Sequence, residues 1–335
     1  MLIGLAGGGA SLPDPQSFYP ANSAVLAYTD CVAPTFVGGY ARFVRPINDV
    51  AGNGYTYAMP GARLRFRSNA PTVNVLVRYN GLISRTDARN TIGAIYVNGT
   101  FVQTFQSPPP INTVAVATLT IVNGSSVDRL YEIVLPYADG VEFGGVNVDL
   151  PYVVTAAAAR TGSLMVCYGD SITEGFTSTD VRVCYPFLLA NLKNFRCINM
   201  GYGSLQATAS HGTDIANLSP DLITVMIGTN EFLNQVAVAT YQANLTAFLT
   251  NIHNINPTVP IYLTAPLLNT NSRAIPLSSY QAVPGAVRTA LGYAQIVGVN
   301  PTTLLPTSAG LNADGTHPND SGHSSIATGF ASIIP

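Results

Sequence analysis

The first half of the chain contains short runs in which apolar and polar residues alternate. Residues 72–79, Thr-Val-Asn-Val-Leu-Val-Arg-Tyr, place three valines and a tyrosine on one face of a predicted strand. Asn98-Gly99 separates two further runs and predicts a tight hairpin turn. Strands at this spacing, with almost no helical periodicity, predict an all-β sandwich over residues 36–155. Residues 1–35 are rich in Gly, Pro and Ala and predict an extended N-terminal arm. Further strands are predicted over 113–122 and 129–136.

After residue 160, short apolar runs alternate with segments of helical periodicity. This alternation predicts a parallel sheet with helices on both faces, and therefore an α/β three-layer domain over residues 160–335. The predicted strands are 164–168, 196–200, 222–227, 261–265 and 295–299. The predicted helices are 183–193, 206–217, 237–254, 277–292 and 320–334.

Composition narrows the class of protein. A length of 335 residues exceeds that of a typical domain, which agrees with two domains. The net charge of -2 gives no reason to expect a nucleic-acid partner. No apolar run reaches the ~18 residues of a membrane span. Charged residues are only 10% of the chain, which is low for a cytosolic protein. We therefore expect an extracellular or particle-associated protein. The first five residues, Met1–Leu5, are not a convincing signal peptide.

Four cysteines, Cys31, Cys167, Cys184 and Cys197, match no zinc-binding pattern. No His, Asp or Cys cluster has the spacing of a metal site, so we expect neither a metal nor a cofactor. Cys184 and Cys197 are a candidate disulfide pair, and four packed thiols are the alternative.

Polar residues follow the predicted parallel strands at the points where the strands end. Ser171 follows the first strand, residues 201–204 follow the second and residues 228–231 follow the third. Residues 314–318 precede the last helix. Because active sites of parallel sheets lie at the carboxyl ends of the strands, these segments are predicted to meet at one edge.

The side chains in these segments suit acyl transfer by serine. His317 can take the proton of the Ser171 hydroxyl, and Asp314 can hold the imidazole in the required tautomer. Asn230 can donate a side-chain N–H to the developing oxyanion, together with backbone N–H groups of Ser171 and Gly203. We therefore predict a catalytic Ser171–His317–Asp314 set beside an oxyanion hole.

These segments resemble the four sequence blocks of the SGNH (GDSL) hydrolases. Gly169-Asp170-Ser171 matches the first block, Gly228-x-Asn230-Glu231 the third and Asp314-x-x-His317 the last. In the second block, the glycine of the family falls on Ser204, one residue after Gly203. The resemblance covers residues 160–335 and implies a flavodoxin-like fold and a metal-independent ester hydrolase.

The order of the two predicted domains further resembles carbohydrate esterases that place a jelly-roll module before an SGNH domain. This resemblance implies a short acyl ester, typically acetyl, on a carbohydrate as the substrate. A lipase-like or general arylesterase is one alternative. A non-enzymatic glycan-binding or structural surface or virion protein is another, and association as a homo-oligomer or with a particle stays open.

Arg63, Arg65 and Arg67 alternate with apolar residues and therefore share one face of a predicted strand. A patch for an acidic glycan is one interpretation of this face. A solvated sheet face is the interpretation that we favour.

Overall fold

A computed structural model describes residues 16–47, 55–82, 92–106, 113–137 and 140–335. In the N-terminal part, these residues form two six-stranded antiparallel sheets. The strands are β1 (Gln16–Pro20), β2 (Ala27–Thr29), β3 (Thr35–Val37), β4 (Tyr40–Arg42), β5 (Arg63–Ser68), β6 (Thr72–Tyr79), β7 (Ile92–Val97), β8 (Thr100–Gln106), β9 (Ala115–Val122), β10 (Arg129–Val134), β11 (Val141–Asp149) and β12 (Val154–Thr155).

The first sheet has the order β3-β4-β11-β6-β9, with β1 also pairing with β11. The second has the order β12-β5-β10-β7-β8, with β2 also pairing with β5. The three valines and the tyrosine of β6 are fully buried and share one core with Leu64 and Phe66 of the second sheet. The predicted β-sandwich is therefore confirmed.

The hairpin between β7 and β8 turns at the predicted dipeptide. Asn98 and Gly99 have φ angles of 50° and 78°. A two-residue turn of this kind requires positive φ at both central residues, which Asn and Gly tolerate best.

The predicted arm contributes edge strands where the structure describes it. Gln16–Pro20 pairs antiparallel with β11, and Ala27–Thr29 pairs with β5. Residues 16–35 are therefore part of the sheets, because short strands of this kind gain their stability from partners that are distant in sequence. Residues 1–15 lie outside the described residues. The boundaries at 35/36 and 155/160 stay predictions.

The C-terminal part is a five-stranded parallel sheet with the order β14-β13-β15-β16-β17. Its strands are β13 (Leu164–Gly169), β14 (Arg196–Asn199), β15 (Leu222–Met226), β16 (Ile261–Thr264) and β17 (Ile296–Val299). Its helices are α1 (Ser171–Glu174), α2 (Tyr185–Lys193), α3 (Ala209–Ala216), α4 (Thr229–Leu233), α5 (Val238–Ile255), α6 (Leu277–Leu291), α7 (Pro301–Leu304) and α8 (Asp320–Ile333).

Helices cover both faces of this sheet. Alternate residues of β13 enter two different cores: Val166 and Tyr168 pack with α3, α5 and α6, whereas Met165 and Cys167 pack with α2 and α8. The predicted three-layer α/β fold is therefore confirmed. No helix of the described residues is long and apolar enough to span a membrane.

All four cysteines are free thiols. Cys197 lies with its sulfur 3.8 Å from that of Cys167, and the Cys184 thiol contacts the carbonyl oxygen of Val181. The candidate pairing of Cys184 with Cys197 is therefore not present, and no disulfide joins any of the four thiols.

A buried carboxylate, Asp30, joins the sandwich to the parallel sheet. Its Oδ2 lies 2.8 Å from Nε of Arg63 and also pairs with Arg160, which precedes β13. Its Oδ1 accepts a hydrogen bond from the backbone N–H of Cys197 in β14. One side chain thus contacts both halves of the molecule.

The arginines of β5 do not lie on a solvated face, so the interpretation favoured from the sequence is wrong for two of them. Arg63 and Arg65 are more than nine-tenths buried, and both contact Glu132 of β10. The ring of Phe187 on α2 covers the Arg63 guanidinium at 4.9 Å. Of the three, Arg67 alone is partly exposed, and it pairs with the exposed Asp128.

Removal of the shared carboxylate tests this junction. Asp30→Ala leaves two partly desolvated guanidinium groups without their partner and is expected to lower the free energy of unfolding by about 3–5 kcal/mol. Guanidinium chloride unfolding at pH 7 measures the loss. Asp128→Ala, which removes an exposed partner of Arg67, is the matched control and should cost about 0–1 kcal/mol. Equal losses in the two variants would contradict the importance of the buried junction.

Candidate active site

Ser171 lies on a sharp turn between β13 and α1. Asp170 caps the helix, because its Oδ1 accepts a hydrogen bond from the backbone N–H of Ile172 at 2.9 Å. Position 169 has no room for a side chain, because a Cβ on Gly169 would lie 2.1 Å from Oγ1 of Thr173 and 2.3 Å from the carbonyl oxygen of Met226. The turn thus presents the serine hydroxyl at the carboxyl edge of the sheet.

The structure brings together the three residues that the sequence predicts as a catalytic set. Oγ of Ser171 lies 2.8 Å from Nε2 of His317, and Nδ1 of His317 lies 2.7 Å from Oδ2 of Asp314. An ionised carboxylate only accepts hydrogen bonds, so the ring proton belongs on Nδ1. Nε2 is then an acceptor for the serine hydroxyl proton, which is the arrangement that a general base needs.

The loop of Asp314 also fixes the charge of its carboxylate. Partial burial would raise the pKa of Asp314, but hydrogen bonds from the backbone N–H groups of His317 and Thr316 and contact with the His317 ring outweigh it. The pKa therefore lies below its usual value, and the carboxylate stays charged beside the imidazole.

Side chains from other loops support the His317 segment, and no sequence motif marks them. Asn271 donates to the carbonyl oxygen of Asp314 at 3.0 Å and to Oγ1 of Thr316 at 2.9 Å. The ring of Phe176 packs edge-on against the His317 ring, with centroids 4.6 Å apart. Asn271 lies more than 40 residues from its partners and carries no local motif that reveals this role.

Asn230 lies in the first turn of α4, at the carboxyl end of β15. One hydrogen of its side-chain amide donates to the carbonyl oxygen of Leu205 at 3.0 Å, which orients the group. An amide NH₂ has two donors, so a second hydrogen is left for a ligand. Asn230 is therefore held by the loop that follows β14.

The two candidate backbone donors in that loop differ. Gly203 is buried, whereas Ser204 is exposed and has a φ of 64°. Positive φ is the conformation that favours glycine. Ser204 thus adopts a backbone conformation that glycine tolerates best.

Comparison with known proteins identifies the C-terminal part of the chain. Residues 167–324 match the GDSL-like Lipase/Acylhydrolase family. These residues form a GDSL-like lipase/acylhydrolase domain. A search of curated proteins finds no match.

Solved structures share the fold of nearly the whole chain, sandwich included. The salicylyl-acyltransferase SsfX3 from a tetracycline biosynthetic pathway is 19% identical with a TM-score of 0.81, and 95% of each chain is covered. A putative GDSL-like lipase from Bacteroides ovatus is 16% identical with a TM-score of 0.79, covering 96% of this chain and 97% of the other. A family two carbohydrate esterase from Cellvibrio japonicus is 15% identical with a TM-score of 0.71, again covering 96% and 97%.

The second loop of the GDSL-like domain is held from both halves of the molecule. Asn199 accepts from the backbone N–H of Gly201 at 2.9 Å and donates to the carbonyl oxygen of Thr173 at 2.8 Å. Arg45, on the sandwich side, donates Nη1 to the carbonyl oxygen of Gly201, and its guanidinium lies 5.7 Å from the centroid of the Tyr202 ring. Arg45 is almost fully buried and was not predicted from the sequence.

Two buried acids flank the GDSL-like site. Burial raises the pKa of Asp170 and of Glu231 to about 7 each, although hydrogen bonds from the backbone N–H groups of Ile172 and Ala207 oppose the shift. Oε1 of Glu231 accepts from Ala207 at 2.6 Å and so ties α4 to the second loop. Among the described residues, no group of three or more His, Cys, Asp or Glu side chains is placed to hold a metal ion.

The raised pKa of Asp170 makes stability depend on pH. The protonated form is favoured in the folded state, so its stabilisation is full below the usual pKa of 3.8 and is lost as the pH rises through about 7. Asp170→Asn keeps the acceptor oxygen and removes the titration.

We therefore expect the melting temperature of Asp170→Asn, relative to the unsubstituted protein, to increase from pH 4 to pH 7 and to level off above. Thermal unfolding by circular dichroism across pH 4–9 measures this difference. The buried His323, with its pKa lowered by burial to about 4, is present in both proteins and cancels, whereas loss of the Asp170 charge also removes part of the rise in the pKa of Glu231. Parallel curves for the two proteins would contradict the raised pKa.

Proposed function

We propose that the protein is a serine esterase that removes short acyl groups, chiefly acetyl, from a carbohydrate. The observation that carries the proposal is the hydrogen-bonded chain from Ser171 through His317 to Asp314 at the sheet edge. A serine hydroxyl is a weak nucleophile until a positioned base takes its proton, and this chain supplies the base and its orienting acid.

The reaction would proceed in two steps. His317 Nε2 takes the hydroxyl proton as Ser171 Oγ bonds to the ester carbonyl carbon, and Asp314 stabilises the imidazolium. The oxyanion accepts hydrogen bonds from Asn230 and from backbone N–H groups of Ser171 and the Gly203–Ser204 segment. His317 then gives its proton to the leaving alcohol, and the acyl group stays on Ser171. Water, deprotonated by His317, attacks the acyl-serine and releases the acid.

The carbohydrate substrate is inferred from shared architecture. The family two carbohydrate esterase from Cellvibrio japonicus shares the combination of sandwich and GDSL-like domain over nearly the full chain. A fold does not fix a substrate, so acetate release from a polysaccharide has to be measured beside cleavage of a model ester.

Acyl transfer to an alcohol is the second candidate. SsfX3, a salicylyl-acyltransferase, shares the same layout with a TM-score of 0.81. The first step would be identical, and a bound alcohol would replace water in the second. Product analysis separates the candidates, since transfer yields a new ester and hydrolysis yields a free acid.

Ester cleavage is the direct test. The protein is expected to hydrolyse nitrophenyl acetate faster than nitrophenyl octanoate and to release acetate from acetylated xylan. Ser171→Ala should abolish both activities, whereas Ser210→Ala, an exposed serine on α3, should leave them unchanged. Octanoyl preference would favour a lipase-like enzyme. No turnover of any ester by the folded protein would contradict the proposal and favour a binding role.

The role of Asn230 has its own test. Loss of one oxyanion donor typically lowers turnover by about 10²–10³-fold, so Asn230→Ala should lower kcat by this factor with little change in KM. Steady-state kinetics on nitrophenyl acetate measures both constants. Asn234→Ala, at the exposed end of the same helix, is the control and should keep full activity. A normal kcat in Asn230→Ala would remove this residue from the oxyanion hole.

A further inference from the structure

A pocket lies at the junction of the sandwich and the GDSL-like domain. Its volume is about 400 Å³. It is lined by Arg63, Arg65, Tyr96, Glu132, Arg160 and Asn191, among others. The residues that line it at 159–161 precede β13, whereas Ser171 follows the six-residue strand, so the length of β13, about 20 Å, separates the pocket from the candidate active site.

The charged groups around this junction pocket do not balance. Three guanidinium groups, those of Arg63, Arg65 and Arg160, share two carboxylates. Asp30 pairs with Arg63 and Arg160, and Glu132 pairs with Arg63 at 3.4 Å and with Arg65 at 3.0 Å. One net positive charge therefore remains in a partly buried space, where charge interactions are stronger than in water.

The wall also carries hydrogen-bond donors that the protein does not use. Arg65 donates Nε to Glu132 and Nη1 to the carbonyl oxygen of Ala158, which leaves Nη2. Among the described residues, the side-chain amides of Asn191 and Asn194 and the hydroxyl of Tyr96 also make no hydrogen bond to protein. An excess of donors together with a positive charge is the complement of an oxyanion.

We propose that this junction pocket binds a small oxyanion through a carboxylate or phosphate group. The free N–H groups on Nη2 of Arg65 can donate charge-assisted hydrogen bonds to either kind of oxyanion. The ring of Phe187 is covered by Arg63, so the wall offers polar contacts rather than a flat apolar surface for a large ligand. Free phosphate and the carboxylate of an acidic sugar share this chemistry.

Binding would link the two halves of the molecule. Arg65, Tyr96 and Glu132 belong to the sandwich, Arg160 belongs to the connecting segment, and Asn191 belongs to α2. A ligand that contacts all three and binds only the folded state raises the melting temperature, and the increase continues with the logarithm of the ligand concentration above Kd. This inference is independent of the proposed esterase activity.

Ligand titration of the full chain tests the proposal. Thermal unfolding and calorimetry are run with sodium phosphate and with sodium glucuronate, each against sodium chloride at equal ionic strength and against glucose. At least one of the two anions is expected to raise the melting temperature progressively with concentration. Phosphate alone or glucuronate alone would each support an oxyanion site and identify the source of the anion.

Asn191→Asp places a negative charge at the pocket wall without breaking the buried ion pairs. Because like charges repel, it should weaken binding of the effective anion at least tenfold. Asn244→Asp, on the exposed face of α5, is the matched control and should bind as the unsubstituted protein does. Two results would overturn the proposal: no effect of either anion beyond that of chloride, or equal affinity in Asn191→Asp and its control.

Discussion

The buried carboxylate of Asp30 is the contact on which the joining of the two halves depends. It lies in the sandwich, pairs with Arg63 of β5 and Arg160 of the connecting segment, and accepts from the backbone N–H of Cys197. A buried charge is tolerated only where partners compensate its lost hydration. The buried arginines therefore depend on the carboxylates of Asp30 and Glu132 beside them. The helix α2 covers these arginines and is held against the sandwich by the same contacts.

The fold was largely predictable because its signals are local. The alternation of apolar and polar residues along β6 and the Asn98-Gly99 turn predict the sandwich. Short apolar runs that alternate with helical segments predict the parallel sheet. The burial of Arg63 and Arg65 was not predictable, since their carboxylates come from residues 30 and 132. Alternation alone cannot tell a solvated polar face from one that another domain covers. For the same reason, the Gly, Pro and Ala content of residues 1–35 predicts an arm, although Gln16–Pro20 and Ala27–Thr29 form strands.

The residues of the candidate site likewise differ in whether a local sequence signal predicts them. Ser171, Asn230 and the Asp314–His317 pair were found because each follows a recognisable strand or lies in a short motif, and parallel strands end at one edge. The sequence does not predict the roles of Asn271 and Arg45, because each side chain donates a hydrogen bond to a backbone carbonyl oxygen that is distant along the chain. Every residue type has a backbone carbonyl oxygen. No pattern of residue types therefore indicates which side chain donates to it.

The bond from Arg45 to the carbonyl oxygen of Gly201 has a consequence for how such a molecule can evolve. The loop after β14 has no room for a side chain at Gly201, where a Cβ would lie 2.3 Å from the backbone nitrogen of Glu174. Contacts with the serine turn and with the sandwich therefore both fix the position of this loop. A different sandwich without a guanidinium at this place would leave the carbonyl oxygen of Gly201 without this donor.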